Sequence, residues 1–123
     1  MEIKNILLVD DSETDQFLTK LFLEEHYPHS TIHQVYDGQE ALDFLNQQTD
    51  SPDLIILDIN MPGMDGLEFL AEYEKQPPNA TTIAMLTSSN QKKDIDAVMK
   101  YDFVKFYFTK LLDQDDINAL NNL

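Results

Sequence analysis

Five short apolar runs, each followed by a stretch with helical spacing, limit this chain to very few folds. The runs cover residues 3–9, 31–36, 54–57, 82–86 and 104–108. After the first run, Phe17, Leu18, Leu21 and Phe22 recur at the three- and four-residue spacing of a helix face. Ala41, Leu42 and Leu45 repeat that spacing, as do Leu67, Leu70 and Ala71, then Ile95, Val98 and Met99, and last Ile117 and Leu120. Each stripe is read as core packing. Strand–helix alternation repeated five times predicts an α/β fold, with parallel strands joined by crossover helices on both faces of one sheet. Leu54-Ile55-Ile56-Leu57 is apolar throughout, as a central strand covered on both faces requires. Val104, Phe106 and Phe108 alternate with Lys105, Tyr107 and Thr109, which predicts an edge strand. Ser12 and Asp15 have the spacing of a capping box, and Asp113 is placed to cap the last helix.

Residues 1–123 have the length of one domain, and no linker or low-complexity tract divides them. Twenty-three Asp and Glu face eight Lys and no Arg, for a net charge of −15. Nucleic acid and anionic membranes are therefore poor partners, because both need a basic footprint. No apolar run exceeds four residues, too short to span a bilayer. The start, Met1-Glu2-Ile3-Lys4, lacks the layout of a signal peptide, and there is no cysteine. A cytoplasmic location is expected. Charge is uneven: residues 92–110 hold five Lys against three Asp in an otherwise acidic chain.

Ligands in such a sheet bind at the carboxyl ends of the strands. There the first strand is followed by Asp10-Asp11, the third by Asp58, the fourth by Thr87 and the fifth by Lys110. Three carboxylates, a hydroxyl and an ammonium should face one crevice. A pair of like charges at ~5 Å and an effective dielectric of ~20 costs roughly 3 kcal/mol. Holding a proton on one acid or binding a cation relieves that cost. Mg²⁺ fits, since it takes oxygen ligands and favours a site shared with a phosphoryl group. Cation, ammonium and hydroxyl together would stabilise charge on phosphoryl oxygens. Asp58, at the end of the central strand, is the candidate nucleophile. Taken singly, the acids after the first strand could equally be helix caps; the convergence of four strand ends carries the functional reading.

These residues bring a family into view. The chain resembles the receiver domain of response regulators, the CheY-like fold, most specifically over Asp58-Ile59-Asn60-Met61-Pro62-Gly63-Met64-Asp65-Gly66. That resemblance implies a doubly wound (βα)5 domain with sheet order 2-1-3-4-5, filling residues 1–123 with no output domain. It implies that Asp58 is the phosphoacceptor and that Asp11, Asp58 and the backbone carbonyl of Asn60 ligate Mg²⁺. Asp10 would hold metal-bound water, Lys110 would contact the phosphoryl group, and Thr87 would move toward it. Tyr107 matches the switch aromatic. The implied donor is a phosphohistidine of a sensor histidine kinase or histidine phosphotransfer protein. The output would pass to a protein target through the face formed by the fourth helix, fifth strand and fifth helix, from a monomer or weak dimer. The domain would be no enzyme beyond promoting its own phosphorylation and dephosphorylation.

One position departs from the family. Leu111 follows Lys110 where proline is usual, so a trans bond is expected, a cis bond before a non-proline residue costing roughly 3–4 kcal/mol. Three other readings stand beside the receiver. A receiver-shaped module that is never phosphorylated is kept open by Leu111. An aspartyl phosphatase would want an acid at position 60, where Asn60 stands. A flavin-binding protein would want a phosphate-binding loop after the first strand, where Asp10-Asp11-Ser12-Glu13 would repel the phosphate.

Overall fold

A computed structural model describes residues 2–123. The elements alternate as β1 (Asn5–Val9), α1 (Glu13–His26), β2 (Thr31–Val35), α2 (Gly38–Gln47) and β3 (Leu54–Leu57). They continue as α3 (Gly66–Glu74), β4 (Thr82–Thr87), α4 (Lys92–Met99), β5 (Val104–Thr109) and α5 (Gln114–Asn121). All four strand pairings are parallel, and the sheet order is β2-β1-β3-β4-β5. The (βα)5 fold expected from the sequence is the one observed. Among the described residues no helix is long and apolar enough to cross a membrane.

The sheet separates two apolar layers. Leu7, Val9, Ile55, Leu57, Ile83 and Met85 point to one side, where Leu42, Phe69, Leu70 and Val98 of α2, α3 and α4 cover them. Ile6, Leu8, Leu54, Ile56 and Leu86 point to the other, against Leu23 of α1 and Ile117 and Leu120 of α5. Leu54, Ile55, Ile56 and Leu57 are all buried, as two-sided cover of the central strand requires.

The structure departs from the sequence reading at the ends of four strands, within β5 and on the helices. β1 starts at Asn5 rather than Ile3; the N–H groups of Lys4 and Asn5 both donate to Asp53 Oδ2, at 2.8 and 3.0 Å. β2 stops one residue earlier than expected, at Val35, while β4 and β5 each run one residue further, ending on paired Thr87 and Thr109. Within β5 the alternation slips. Ile83 pairs with Val104 but Ala84 pairs with Phe106, so Lys105 is an extra residue. Val104 therefore packs in the layer of α2–α4, with Tyr107, while Phe106 and Phe108 pack on the opposite side.

The largest departure is α1. Three of its four stripe residues turn away from the core: Phe17 is 63% exposed, Leu21 50% and Leu18 40%, and Phe22 alone packs against it, half-buried. The buried residues of α1 are Gln16, Thr19 and Leu23. The cause is local. The first turn of α1 lies over strand ends whose carbonyls need donors, and the Gln16 side chain supplies them. Smaller differences of the same kind are Ala71 and Met99, both exposed, with Phe69 and Tyr73 taking the inward positions on α3. Of the other stripe residues, Ala41, Leu42, Leu70, Val98, Ile117 and Leu120 are buried as expected, while Phe22, Leu45, Leu67 and Ile95 are half-buried.

Candidate functional site

Asp10 and Asp58 sit side by side because β1 and β3 are neighbours in register. The Asp10 N–H extends β1 by donating to Val35 O at 3.2 Å, and the Asp58 N–H donates to Val9 O at 3.0 Å. Both side chains are buried, whereas Asp11 is exposed. One carboxylate oxygen from each of Asp10, Asp11 and Asp58 lies within 4.8 Å of the others. The predicted cluster thus forms. A set of carboxylate oxygens this close suits a hard divalent cation such as Mg²⁺ and offers nothing to a soft one.

Lys110 enters from the far side. β4 and β5 run together to Thr87 and Thr109, and the Lys110 N–H then donates to Thr87 O at 3.0 Å. From there the ammonium reaches three carboxylates: Asp10 Oδ2 at 2.8 Å, Asp15 Oδ2 at 2.8 Å and Asp58 Oδ2 at 3.0 Å. The peptide bond between Lys110 and Leu111 is cis, where the sequence alone made trans the expectation. Burial acts to lower the affinity of this amine for its proton. Its hydrogen bonds to Asp10, Asp15 and Asp58, with the charge of Asp58, outweigh burial and hold it well above the ordinary lysine range. Burial pushes the Asp10 carboxyl up, opposed by its bonds from Lys110 and from the Ser12 N–H.

The loop after β3 is shaped by two glycines. Gly63 has φ +70°, a conformation few side chains adopt. A Cβ on Gly66 would lie 2.4 Å from Asp58 O and 2.8 Å from Ile59 Cα, so only glycine lets the start of α3 close against the Asp58 backbone. The Gly66 N–H donates to Ile59 O at 2.8 Å, and Asp65 caps α3 in a complete capping box with Glu68. Asn60 follows Asp58 with its N–H 3.4 Å from Asp58 Oδ1, and its side chain lines a polar cleft with Ser88, Ser89 and Asp94.

A residue pattern of this kind has a known home. The family model of the response regulator receiver domain matches residues 6–121. The chain belongs to this family. Receiver domains with similar sequence include the response regulator Rcp1 of Synechocystis, 34% identical over 121 residues that cover 93% of this chain and 81% of Rcp1. Three other curated relatives are longer, and this receiver domain spans only 30%, 43% and 46% of their lengths. Among solved structures, a two-component response regulator from Cytophaga hutchinsonii superposes with a TM-score of 0.90 at 28% identity, covering 99% of this chain and 96% of that one. The phosphorylated cyanobacterial phytochrome response regulator RcpA gives 0.81 at 30% identity, covering 98% and 91%.

In this receiver domain Thr87 is fully buried at the end of β4. Ser89 links it to Tyr107: the Ser89 N–H lies 3.4 Å from Thr87 Oγ1, and the Tyr107 hydroxyl donates to Ser89 O at 2.7 Å. Ser89 Oγ in turn donates to Asp94 of α4 at 2.5 Å. The structure therefore brings Asp10, Asp11, Asp58 and Lys110 into one group, and joins Thr87 to Tyr107 one residue removed.

Two residues of the site were not singled out from sequence. Asp15 was read only as a cap, and the box it was expected to complete is half made. Ser12 Oγ accepts from the Asp15 N–H at 3.2 Å, but the Ser12 N–H goes to Asp10 Oδ1 and the Asp15 carboxylate goes to Lys110. Its place in the first turn of α1, close in sequence to Asp10 and Asp11, was the available signal. Gln16 is buried, and its Nε2 donates to Leu8 O, Asp10 O and Val35 O at 3.2, 3.0 and 2.7 Å. Nothing in a lone glutamine beside an apolar stripe announces that role.

Proposed function

We propose that this protein is the acceptor in a two-component phosphorelay, with Asp58 taking a phosphoryl group from a phosphohistidine. The observation that carries this reading is the placement of Asp58 between an acidic cation site and the ammonium of Lys110. A bound Mg²⁺, held by Asp11, Asp58 and the Asn60 carbonyl with Asp10 holding its water, would supply positive charge to phosphoryl oxygens in transfer. The chain does the rest. An Asp58 carboxylate oxygen forms the new bond to phosphorus as the P–N bond to the donor imidazole breaks, and the imidazole leaves with the bonding pair. Lys110, already 3.0 Å from Asp58, moves its hydrogen bond to a phosphoryl oxygen.

The product carries roughly −1.5 to −2 units of charge and several acceptor oxygens that Asp58 lacked. Thr87 can donate to them only by shifting its hydroxyl, which alters the Thr87–Ser89–Tyr107 connection and with it the start of α4. The surface of α4, β5 and α5 thereby reports phosphorylation to a protein target, and the domain catalyses only its own phosphorylation and dephosphorylation. A sensor histidine kinase or histidine phosphotransfer protein is the donor. Its landing surface is the exposed Phe17, Leu18 and Leu21 of α1, continuous through Leu18 and Leu111 with the turn that carries Lys110. The protein works in the cytoplasm, monomeric or weakly dimeric. The experiment is mass spectrometry after treatment with acetyl phosphate and Mg²⁺. One added phosphoryl group, absent in Asp58→Asn, is expected; an unmodified wild-type protein would overturn the proposal.

A further inference from the structure

The Lys110 ammonium has three N–H donors and three carboxylates to receive them. Two of those, Asp10 and Asp58, belong to the cluster that fits a cation; Asp15 does not. Asp15 is also the most exposed of the three, its side chain 30% accessible against 3% and 7%, so it lies on the solvent side of the ammonium. Its carboxylate gives up the return bond to its own helix cap to reach Lys110. The backbone beneath it is fixed, by the Ser12 hydroxyl on the Asp15 N–H and by the three Gln16 bonds to the strand ends.

Building on the phosphoacceptor reading above, we infer that Asp15 is a positioning residue for Lys110 in phosphorylation. A cation needs the carboxylates of Asp10 and Asp58, and the lysine competes for both. Asp15 gives the ammonium a third partner that the cation does not use. It thereby leaves Asp10 and Asp58 freer for the cation and keeps Lys110 at the outer side of Asp58, where a phosphoryl group must arrive. With Asp15 neutralised, Lys110 falls back on the two carboxylates the cation requires.

The test is a double-mutant cycle on the full chain, using Asp15→Asn, Lys110→Ala and the pair, with Asp15→Glu as the conservative variant. Three quantities are read: the phosphorylation rate with acetyl phosphate, the affinity for Mg²⁺ alone by calorimetry, and the melting temperature. Asp15→Asn should slow phosphorylation and weaken Mg²⁺ binding about five-fold each in the wild-type background, and change either less than about two-fold once Lys110 is alanine. Asp15→Glu should restore both. Equal losses in the two backgrounds would mean that Asp15 acts through general charge or folding, and no loss in the wild-type background would mean that it does nothing; either result overturns the inference. If the wild-type protein binds Mg²⁺ but takes no phosphoryl group, the phosphoacceptor reading fails by itself, and the Mg²⁺ cycle still decides whether Asp15 governs Lys110.

Discussion

Helices α1 and α3 each follow a strand that ends in a site aspartate, yet they face the sheet with opposite chemistry. α3 buries Phe69, Leu70 and Tyr73. α1 buries Gln16 and Thr19, with Leu23 only in its second half, and turns Phe17, Leu18 and Leu21 to solvent. The difference lies in what each helix covers. α3 packs on a layer already closed by Leu57, Ile59 and Met61, where apolar contact suffices. The first turn of α1 covers the carbonyl ends of β1 and β2, where a buried acceptor without a donor costs more than an apolar contact returns. A helix beside a polar site can therefore hold its fold with polar side chains, leaving apolar ones for a partner.

Two changes bracket this contrast in stability, each read by urea denaturation. Phe69→Ala on α3 should cost about 3–5 kcal/mol, the transfer loss plus the cavity. Gln16→Leu on α1, close in size but without donors, should cost about 1–3 kcal/mol. It strands Asp10 O, while Leu8 O stays in the β1–β2 ladder and Val35 O keeps the Asp10 N–H, and it takes the acceptor from Gln34 Nε2. A more stable Gln16→Leu protein would break the comparison, because an apolar inner face would then have served α1 as well as it serves α3.

The sequence was readable where one physical rule acted alone. Period-two and period-3.6 patterns placed all ten elements, and the apolar Leu54–Leu57 run marked the central strand correctly. Asp10, Asp11, Asp58 and Lys110 were legible because a parallel sheet must bring its strand ends together. Where two demands met on one residue, the pattern misled. Phe17, Leu18 and Leu21 have core spacing, but backbone carbonyls claimed the inner face. Asp15 has cap spacing, but a stronger cation lay within reach. Val104 has the phase of Phe106, but the extra residue at Lys105 reversed it, and nothing in the composition of β5 marks that bulge. The basic bias of residues 92–110 was legible as charge, and part of it is spent within the chain: Lys92 pairs with Asp96 at 2.7 Å and Lys100 stacks over Tyr101.

The outer face of α1 gives a smaller effect on stability and a larger one on recognition. Leu18→Ser with Leu21→Ser should change stability by no more than about 0.5 kcal/mol per site, as for surface positions. Phosphorylation by a phosphohistidine protein should fall further than phosphorylation by acetyl phosphate, which needs no docking surface. Equal losses with both donors would sink the assignment of this face to the donor.

The smallest expected effect is a pH dependence that α1 has and α3 lacks. His26, in the last turn of α1, has Nδ1 2.9 Å from Phe22 O and Nε2 3.0 Å from Gln114 Oε1. Both partners are acceptors, and Gln114 Nε2 is already engaged with Asn118, so only the imidazolium donates to both. The Phe22 carbonyl first, and Gln114 second, raise the His26 pKa above its ordinary 6.5. A group with a raised folded pKa binds more protons folded than unfolded over that interval. Its contribution is complete below about pH 6.5 and is lost as pH rises through the folded value. Urea midpoints should therefore fall slightly between about pH 5.5 and pH 8 in the wild-type protein and stay level in His26→Gln. α3 has no basic residue in its last turn, so no such loss is expected from its end. Asp10, its carboxyl raised by burial, contributes in the same direction as pH climbs from the ordinary carboxylate range. A slope that survives His26→Gln therefore moves the pH dependence from the end of α1 to the carboxyls that burial raises, Asp10 and Asp116.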